Sequence, residues 1–502
     1  SPHAALRAVG RHRPVARCES HLNVHTAKLS RGAICDDTRA SRGCQFSPPH
    51  DRIRRKDGLA VVVFSLTVNY FQRYKGSRFL ANRAPIFPMK NLFVAGLMLA
   101  GAVAPAAAAD VLPLADVRPG MRGIGVTVFE GTTRAEFDVE IIGILHNING
   151  PKRNLILARL DGGPLAETGV IAGMSGSPVY VEGRLVGAVA YAMGSFTTEP
   201  LAGITPIEEM FDAVDVPGVR PAAVRARVEV PLSPDRLIAL FRASMRPTAA
   251  FARSTGDVAG IGPPLREAQS VATMLRPIAT PLSLSGFDRE VADLLTSALD
   301  GTGLVPVLGG GQAGSAPVAA EPLQAGDAVS VSLIDGDLSL AGTGTVTLVE
   351  NDRVYAFGHP FQNLGPTQFV MNRAHIQALL PSLLSSTKIA TVGEAIGTFE
   401  QDRLTAIAGT LGPAPRRIPV TVTLRPSAGN AAVRELQFNI VDDQVLTPLL
   451  TFVTVLNTLR AYERGAGAAT LAVAGTATFQ NHAPLAFDDV FSGNGPSLAA
   501  AT

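Results

Sequence analysis

Short apolar runs separated by glycine dominate the first half of the chain, from residue 111 to residue 214. Apolar or alternating runs of this length, bounded by turn residues, are typical of β-strands. The pattern predicts strands at residues 123–129, 137–145, 155–160, 179–181 and 184–192. Glu182-Gly183 separates the last two runs and predicts a two-residue hairpin turn. The sequence Thr205-Pro206-Ile207-Glu208 has the form of a capping box and predicts a helix that closes this module.

The pattern changes twice further along the chain. Residues 216–326 predict a connector of helices and loops, with an amphipathic helix at 288–299 and a Gly/Ala/Pro linker at 309–320. A second β-rich module follows at 327–415, with strands at 329–333 and 343–349. Residues 416–482 predict a small C-terminal β or α+β domain, and residues 483–502 a tail. The predicted fold class is therefore mainly β, with two β modules joined by a helical connector.

The first methionine is Met89, and an apolar stretch at 92–103 and four alanines at 106–109 follow it. This arrangement predicts a secretory signal peptide at residues 89–109, and hence a chain exported to the periplasm or the cell exterior. The alternative is an uncleaved membrane anchor. Residues 1–88 hold all three cysteines and carry 16 Lys and Arg against 5 Asp and Glu. We interpret them as a basic, disordered leader upstream of the true start. Their apolar run is too short to span a bilayer, so no stable membrane span is expected after signal cleavage.

Setting residues 1–109 aside changes the charge of the chain. The remaining residues, 110–502, carry 27 Lys and Arg against 37 Asp and Glu, so the mature chain is acidic. An acidic chain lacks the basic face that neutralises phosphates, which argues against nucleic acid as a partner. It also contains no cysteine, which excludes disulfides and thiolate metal sites. No metal and no cofactor are expected.

The hexapeptide Gly173-Met174-Ser175-Gly176-Ser177-Pro178 has the most specific chemistry. A serine hydroxyl becomes a nucleophile when a base removes its proton, and the resulting oxyanion needs backbone N–H donors. In chymotrypsin-like enzymes Gly-Asp-Ser-Gly-Gly-Pro supplies the serine and the backbone N–H donors. Ser175 is the predicted nucleophile, with the amides of Gly173 and Ser175 as oxyanion hole. The alternatives are Ser177 as nucleophile and a plain turn without chemistry.

Residues 123–210 resemble the SpoIVB-type serine peptidases, a family of the trypsin-like clan. The resemblance is carried by Asp161-Gly-Gly-Pro-Leu-Ala-Glu-Thr-Gly-Val-Ile-Ala-Gly-Met-Ser175, by Gly183-Arg-Leu-Val-Gly-Ala-Val-Ala190 and by Ala202-Gly-Ile-Thr-Pro-Ile-Glu-Glu-Met210. It implies trypsin-like β-barrels for the two β modules. In this family an acidic residue about fifteen positions before the serine belongs to the catalytic triad. The resemblance gives this role to Asp161, and the alternative is that Asp161 begins a strand-end turn.

The general base has four candidates, because the mature chain contains only His146, His359, His375 and His482. The run Arg353-Val-Tyr-Ala-Phe-Gly-His359 predicts a strand that ends in a Gly-His turn, and the family's catalytic histidine follows a similar strand. The resemblance therefore gives the role of base to His359. His146 is the rival because it lies in the serine-bearing module. His375 is expected in a helix, and His482 in the tail.

The order of these residues departs from the family, because His359 follows Ser175 whereas the family's histidine precedes its serine. A triad is defined by geometry and not by sequence order. We interpret the two β modules as exchanged along the chain and packed face to face. Lys388 is a formal partner for a Ser-Lys dyad, although exposed lysine is the default. Asp402 and Arg403 are expected near a turn, as a candidate ion pair.

These patterns together predict an exported serine endopeptidase that cleaves a protein or peptide substrate through an acyl-enzyme. In this hypothesis Ser175 attacks, His359 transfers the proton and Asp161 orients the imidazole. The alternative is a catalytically inactive envelope scaffold that binds peptide in a groove between protease-like modules.

Overall fold

The structure of the chain is a computed structural model. It describes residues 59–68, 109–193, 199–214, 233–245, 275–309, 321–425, 432–461, 468–479 and 482–502, the first of these as backbone only. All of them belong to the unit that spans residues 56–502. The signal peptide predicted at 89–109 lies outside the described residues except for its last position, and so do most of the leader and nearly all of the linker predicted at 309–320.

The described residues contain twenty strands. Ten precede the second β module: β1 (Leu59–Val68), β2 (Arg122–Glu130), β3 (Thr133–Leu145), β4 (Leu155–Asp161), β5 (Pro178–Val181), β6 (Arg184–Met193), β7 (Leu201–Pro206), β8 (Leu275–Pro277), β9 (Thr280–Ser285) and β10 (Leu304–Leu308). Ten follow: β11 (Ala328–Gly336), β12 (Ser339–Glu350), β13 (Arg353–Ala356), β14 (Gly365–Leu380), β15 (Thr387–Arg403), β16 (Ala406–Leu411), β17 (Arg417–Arg425), β18 (Arg434–Val441), β19 (Ala469–Phe479) and β20 (Leu485–Gly493).

Six helices accompany the strands in the described part of the chain, together with a short 3₁₀ helix at Leu114–Asp116. They are α1 (Leu165–Thr168), α2 (Ile207–Val214), α3 (Pro234–Ser244), α4 (Arg289–Leu299), α5 (Leu446–Arg460) and α6 (Pro496–Ala501). The predicted helix at 288–299 is confirmed as α4. The side chain of Asp288 caps it by accepting the N–H of Val291 at 2.9 Å.

The serine-bearing module forms a closed six-stranded antiparallel barrel, which we call the serine barrel. Its strands pair in the order β5-β2-β3-β4-β7-β6, and β5 pairs with β6 to close the ring. Buried and exposed positions alternate along much of β3, as expected for a strand with one face on a core. The hairpin predicted at Glu182-Gly183 is confirmed, because both residues have positive φ and connect β5 to β6.

The second sheet, which we call the histidine sheet, contains thirteen strands. Six of them pair antiparallel in a cycle, β12-β13-β16-β15-β14-β11, which the β11–β12 pairing completes. The sheet continues beyond β12 to β9 and β10, and beyond β11 to β18, β17, β1, β19 and β20. The C-terminal strands therefore extend the sheet of the second module.

The mainly β fold class is confirmed, and several local expectations are corrected. The connector predicted as helices and loops also contains strands β8, β9 and β10. His375 lies in strand β14, not in a helix, because its segment pairs with β15 over its whole length. Part of the predicted leader forms β1, which pairs with β17 and β19. The segment expected as a tail forms β20 and α6.

Candidate active site

Ser175 lies between α1 and β5 in a tight loop, residues 172–177, which we call the serine loop. Ser177 closes the loop from within, because its N–H and its hydroxyl donate to the Met174 carbonyl at 3.0 and 2.5 Å. Ser175 is fully buried, and its Oγ has no hydrogen-bond partner among the described residues. The hydroxyl of Ser177 is thus used to shape the loop, whereas that of Ser175 is available.

The backbone of the serine loop also leaves donors available. Gly173 and Gly176 have φ angles of 95° and 98°, which glycine adopts without steric cost. In the described part of the chain, neither Gly173 nor Ser175 donates its N–H to a protein acceptor, whereas Gly176 donates to the Val189 carbonyl at 2.8 Å. Unused N–H groups beside a serine hydroxyl are the elements of an oxyanion site.

His359 lies just beyond β13, in a loop of residues 357–364 that we call the histidine loop. Phe357 and Gly358 turn the chain there, with φ angles of 70° and 68°. A positive φ in a phenylalanine is sparsely populated and is maintained by the surrounding structure. The His359 ring is fully buried and meets the Phe357 ring edge-on, with 6.0 Å between the ring centroids.

The surroundings of His359 fix its protonation state. Burial lowers its pKa to about 4, although the hydrogen bond to Pro360 opposes the shift, so the ring is neutral at neutral pH. Nδ1 lies 2.8 Å from the Pro360 carbonyl oxygen, which can only accept. In the neutral ring the proton is therefore on Nδ1, and Nε2 keeps its lone pair. This is the tautomer that a general base needs.

Strand β12 of the histidine sheet supports the serine loop through three hydrogen bonds. The Thr345 N–H donates to the Ser175 carbonyl at 2.8 Å. The Thr345 hydroxyl donates to the Gly173 carbonyl at 3.2 Å, and the Thr347 hydroxyl to the Gly176 carbonyl at 2.8 Å. The carbonyl groups on both sides of the nucleophile are thus held by the other module.

The histidine loop is supported by the serine barrel in return. The Thr205 hydroxyl donates to the Gly358 carbonyl at 2.7 Å, and a Cβ at Gly358 would lie 2.9 Å from the Cβ atoms of Ala188 and Ala190. The predicted capping box is wrong in this respect: α2 begins at Ile207, but the Thr205 hydroxyl bonds the histidine loop and not the helix backbone. The two loops therefore meet at one junction between the modules.

Gly176 shows how closely the two modules approach each other. A Cβ at this position would lie 2.0 Å from the Thr345 oxygen and 2.5 Å from the Phe357 nitrogen. Only glycine fits such an approach of two backbones. The serine loop is thus packed directly against the strand end that leads to His359.

Asp402 in β15 organises the histidine loop. Its carboxylate accepts the N–H groups of Phe361 and Gln362, each at 2.8 Å, and that of Leu364 at 3.0 Å. Burial raises the pKa of Asp402 to about 6, and the backbone donors oppose this shift. The expected ion pair with Arg403 does not form, because Arg403 donates to Gln401. Sequence reasoning missed this role, since backbone donors leave no side-chain motif.

Asp161 lies at the end of β4 and is exposed. Its Oδ1 accepts the N–H of Gly162 at 2.7 Å, which is the bond of a strand-end turn. It pairs with Asp138 of the neighbouring strand β3. Neither Ser175 nor His359 shares a hydrogen bond with Asp161 in the described part of the chain, so its predicted role in a triad stays a prediction.

The other histidines lie outside the junction. His146 is exposed, and its Nδ1 lies 3.3 Å from Oδ1 of Asn154. His375 is partly exposed in β14, with its Nδ1 3.1 Å from Gln377 Nε2, and His482 is exposed. The described residues contain no cluster of three or more His, Cys, Asp or Glu that could hold a metal ion.

Lys388 at the start of β15 contradicts the expectation of an exposed lysine. It is fully buried, and its Nζ donates to the Thr127 hydroxyl at 2.8 Å. The sequence could have indicated this burial, because alternate residues of a strand share a face and Lys388 alternates with the apolar, buried Ala390 and Val392.

A cleft of about 610 Å³ adjoins the serine loop. Val170 and Ala172, between α1 and β5, contribute to its wall, together with Arg276 from β8 and residues 382–386 from the loop between β14 and β15. The cleft therefore runs along the seam between the modules and reaches the segment that leads to Ser175. A seam between domains is a common place for a ligand site.

Residues 103–210, which contain Ser175, match the sequence model of the family described as SpoIVB peptidase S55. The match covers 108 of the 502 residues and includes the whole stretch that resembles this family by its motifs. It supports a peptidase of the serine type for this part of the chain. Neither the curated proteins nor the solved structures contain a match to the chain. Among the described helices, none combines the length and the apolar character that a bilayer crossing demands.

Proposed function

We propose that this protein is an exported serine endopeptidase in which Ser175 is the nucleophile and His359 the general base. One observation carries the proposal: the serine and histidine loops meet at a single junction, with the Ser175 hydroxyl unused and a neutral His359. The family match of residues 103–210 supports the same reaction class.

The proposed reaction follows the chemistry of acyl transfer. The Ser175 Oγ attacks the carbonyl carbon of a peptide bond while the Nε2 of His359 takes the hydroxyl proton. The backbone N–H groups of Gly173 and Ser175 stabilise the oxyanion. His359 then gives the proton to the leaving amine, and a water molecule, activated by the same nitrogen, releases the acyl group. The chemistry needs no metal.

The orienting group for His359 has two candidates. The family resemblance assigns this role to Asp161, whose carboxylate accepts the Gly162 N–H in this structure and would have to bond the imidazole when substrate binds. The Pro360 carbonyl already accepts a hydrogen bond from Nδ1 and favours the same tautomer. We keep Asp161 as the proposed acid and test it against Pro360 below.

A binding protein without catalysis is the second candidate, and the burial of the site favours it. Ser175 and His359 are both fully buried, so a peptide reaches them only after the covering chain has moved. In this alternative the cleft beside the serine loop binds an extended peptide, and the serine is never acylated.

A fluorophosphonate probe separates the two candidates, because it reacts covalently with activated serines and is small. We expect labelling of the wild-type protein at Ser175 and complete loss of labelling in Ser175→Ala. Ser177→Ala loses only the hydroxyl bond to the Met174 carbonyl and keeps the backbone one, so it should still be labelled at Ser175. A folded wild-type protein that takes up no probe would contradict the peptidase and favour the binding protein. The site of labelling is read by mass spectrometry of the digested protein.

A further inference from the structure

Lys388 is a buried lysine at the junction that the proposed reaction does not use. Its side chain crosses from β15 of the histidine sheet to β2 of the serine barrel, where Nζ donates to the hydroxyl of Thr127 at 2.8 Å. Lys388 and Thr127 both have 0% relative exposure. Lysine is among the residues least often fully buried, so a lysine here needs a reason.

The main chain of Lys388 is bonded to the serine loop. Its N–H donates to the Ala172 carbonyl at 3.0 Å, and the Ala172 N–H donates to the Ser386 carbonyl at 2.8 Å. A Cβ placed on Gly173 would lie 3.3 Å from both Cβ and Cδ of Lys388. The lysine stem therefore lies against the residue whose N–H is a proposed oxyanion donor, and the ammonium is two bonds beyond Cδ.

Among the described residues, no carboxylate forms a hydrogen bond or an ion pair with Lys388. Burial is the cause that lowers its pKa, to about 7, and no neighbouring charge contributes. The charged and titratable groups on the adjoining strands include Glu130 and Arg134 of the β2–β3 hairpin, His375 of β14 and Glu394 of β15, all of them at least partly exposed. The serine loop itself carries none. A buried cation without an anion is electrostatically suited to a negative charge that forms nearby.

We propose that Lys388 is a positioning residue of the oxyanion site, which holds the Ala172–Gly173 segment in place and stabilises, through its ammonium, the negative charge that develops on the substrate oxygen. The inference rests on the proposed function of Ser175. Lys388 neither gives nor takes a proton in this role, so the charge of the ammonium is the same before and after the reaction. A charge fixed in advance beside a developing oxyanion acts without reorganisation, which makes such groups effective.

A role for Lys388 as the general base predicts the opposite pH dependence. A base must be neutral, so the rate would rise with pH as Lys388 loses its proton. An oxyanion partner must be charged, so the rate falls over the same range. A general base would bond the Ser175 hydroxyl, but Lys388 Nζ bonds Thr127 and Ser175 Oγ has no partner among the described residues. The geometry therefore favours the role of Lys388 as an oxyanion partner.

The experiment measures the second-order rate constant of fluorophosphonate labelling at Ser175 between pH 5 and pH 9. The wild-type rate is expected to fall about tenfold or more above pH 7. Lys388→Met is expected to be ~10- to 100-fold slower at pH 6 and to lose the alkaline fall. Lys388→Arg keeps the charge at all these pH values and is expected to lose the fall while staying faster than Lys388→Met. The exposed Lys152→Met is the matched control and should retain both the rate and the fall.

Thr127→Val keeps the inference testable if Lys388→Met does not fold. Losing the hydroxyl acceptor disfavours the charged lysine, so the alkaline fall should move to lower pH. A rate that rises through pH 7, an alkaline fall that persists in Lys388→Met, or an unmoved midpoint in Thr127→Val each overturns the inference. Absence of labelling in the wild-type protein instead contradicts the proposed function.

Discussion

The N–H of Thr345 donates a 2.8 Å hydrogen bond to the carbonyl of Ser175, which joins a strand of the histidine sheet to the proposed nucleophile. Because this bond and those of the Thr345 and Thr347 hydroxyls come from one strand, the shape of the serine loop depends on how the modules dock. The position of Thr345 is in turn fixed by its pairing with Ala328 in β11.

The identity of the base is tested by exchanging histidines. We expect His359→Ala to lower the rate of labelling at Ser175 by about 10³-fold or more, because a serine without a base is a poor nucleophile. His146→Ala is the matched control and should react at the wild-type rate, since His146 is exposed and lies outside the junction. The reverse pattern would transfer the role of base to His146.

Asp161 is tested with a nearly isosteric change. If it orients the imidazole, Asp161→Asn should lower the labelling rate by ~100-fold or more, because the ring loses the anion that stabilises its charged form. Asp138→Asn, on the neighbouring strand, should have no effect. A loss of less than about threefold in Asp161→Asn would leave the Pro360 carbonyl as the orienting group.

The close approach at Gly176 predicts a large effect of one methyl group. Gly176→Ala should destabilise the protein by about 3 kcal/mol, because its Cβ meets the backbone of Thr345 and because φ is positive. Gly183 also has a positive φ, of 78°, but a Cβ there would meet open space. Gly183→Ala should therefore lower the free energy of unfolding by only about 1 kcal/mol. If denaturant unfolding gives the same loss of unfolding free energy for both variants, the backbone at the junction can move to accept the methyl group.

The pKa of His359 predicts a pH dependence of stability. Below pH 6.5 the unfolded histidine binds a proton, whereas the folded one stays neutral down to about pH 4. Stability is therefore lost as pH falls through this window, by up to about 1.4 kcal/mol per pH unit. Asp402, with its raised pKa of about 6, has the opposite effect between pH 6 and pH 3.8.

Comparison of variants separates the contribution of His359 to the pH dependence of stability from that of Asp402. The difference in unfolding free energy between wild type and His359→Gln, measured at pH 7 and at pH 4.5, isolates the histidine. We expect the wild type to lose more stability than His359→Gln on acidification. A difference that does not change with pH would mean that His359 is protonated in the folded protein near its ordinary pKa.

The sequence predicted the strands well where local patterns determine them. The runs that became β2, β4 and β6 are bounded by turn residues, and the Glu182-Gly183 turn needs φ angles that glycine allows. His375 was misassigned because the apolar positions of its segment fit both a helix and a strand, and only the pairing of β14 with β15 decides.

The candidate site was only partly predictable, because its support is non-local. The Ser175 motif and the Gly-His turn of His359 are visible as short motifs. The roles of Thr205 and Asp402 are not, since each bonds a backbone group that is distant along the chain. The burial of Lys388 depends on contact with Thr127, which lies in the other module.

The serine loop and the histidine loop are each held by hydrogen bonds from the opposite module, so neither module alone completes the proposed site. For a peptidase this has a consequence during biosynthesis. While the chain is emerging and its halves are still separate, no acylating serine exists that could cut unfolded copies of the same protein. Docking of the two modules would thus be the step that completes the proposed active site.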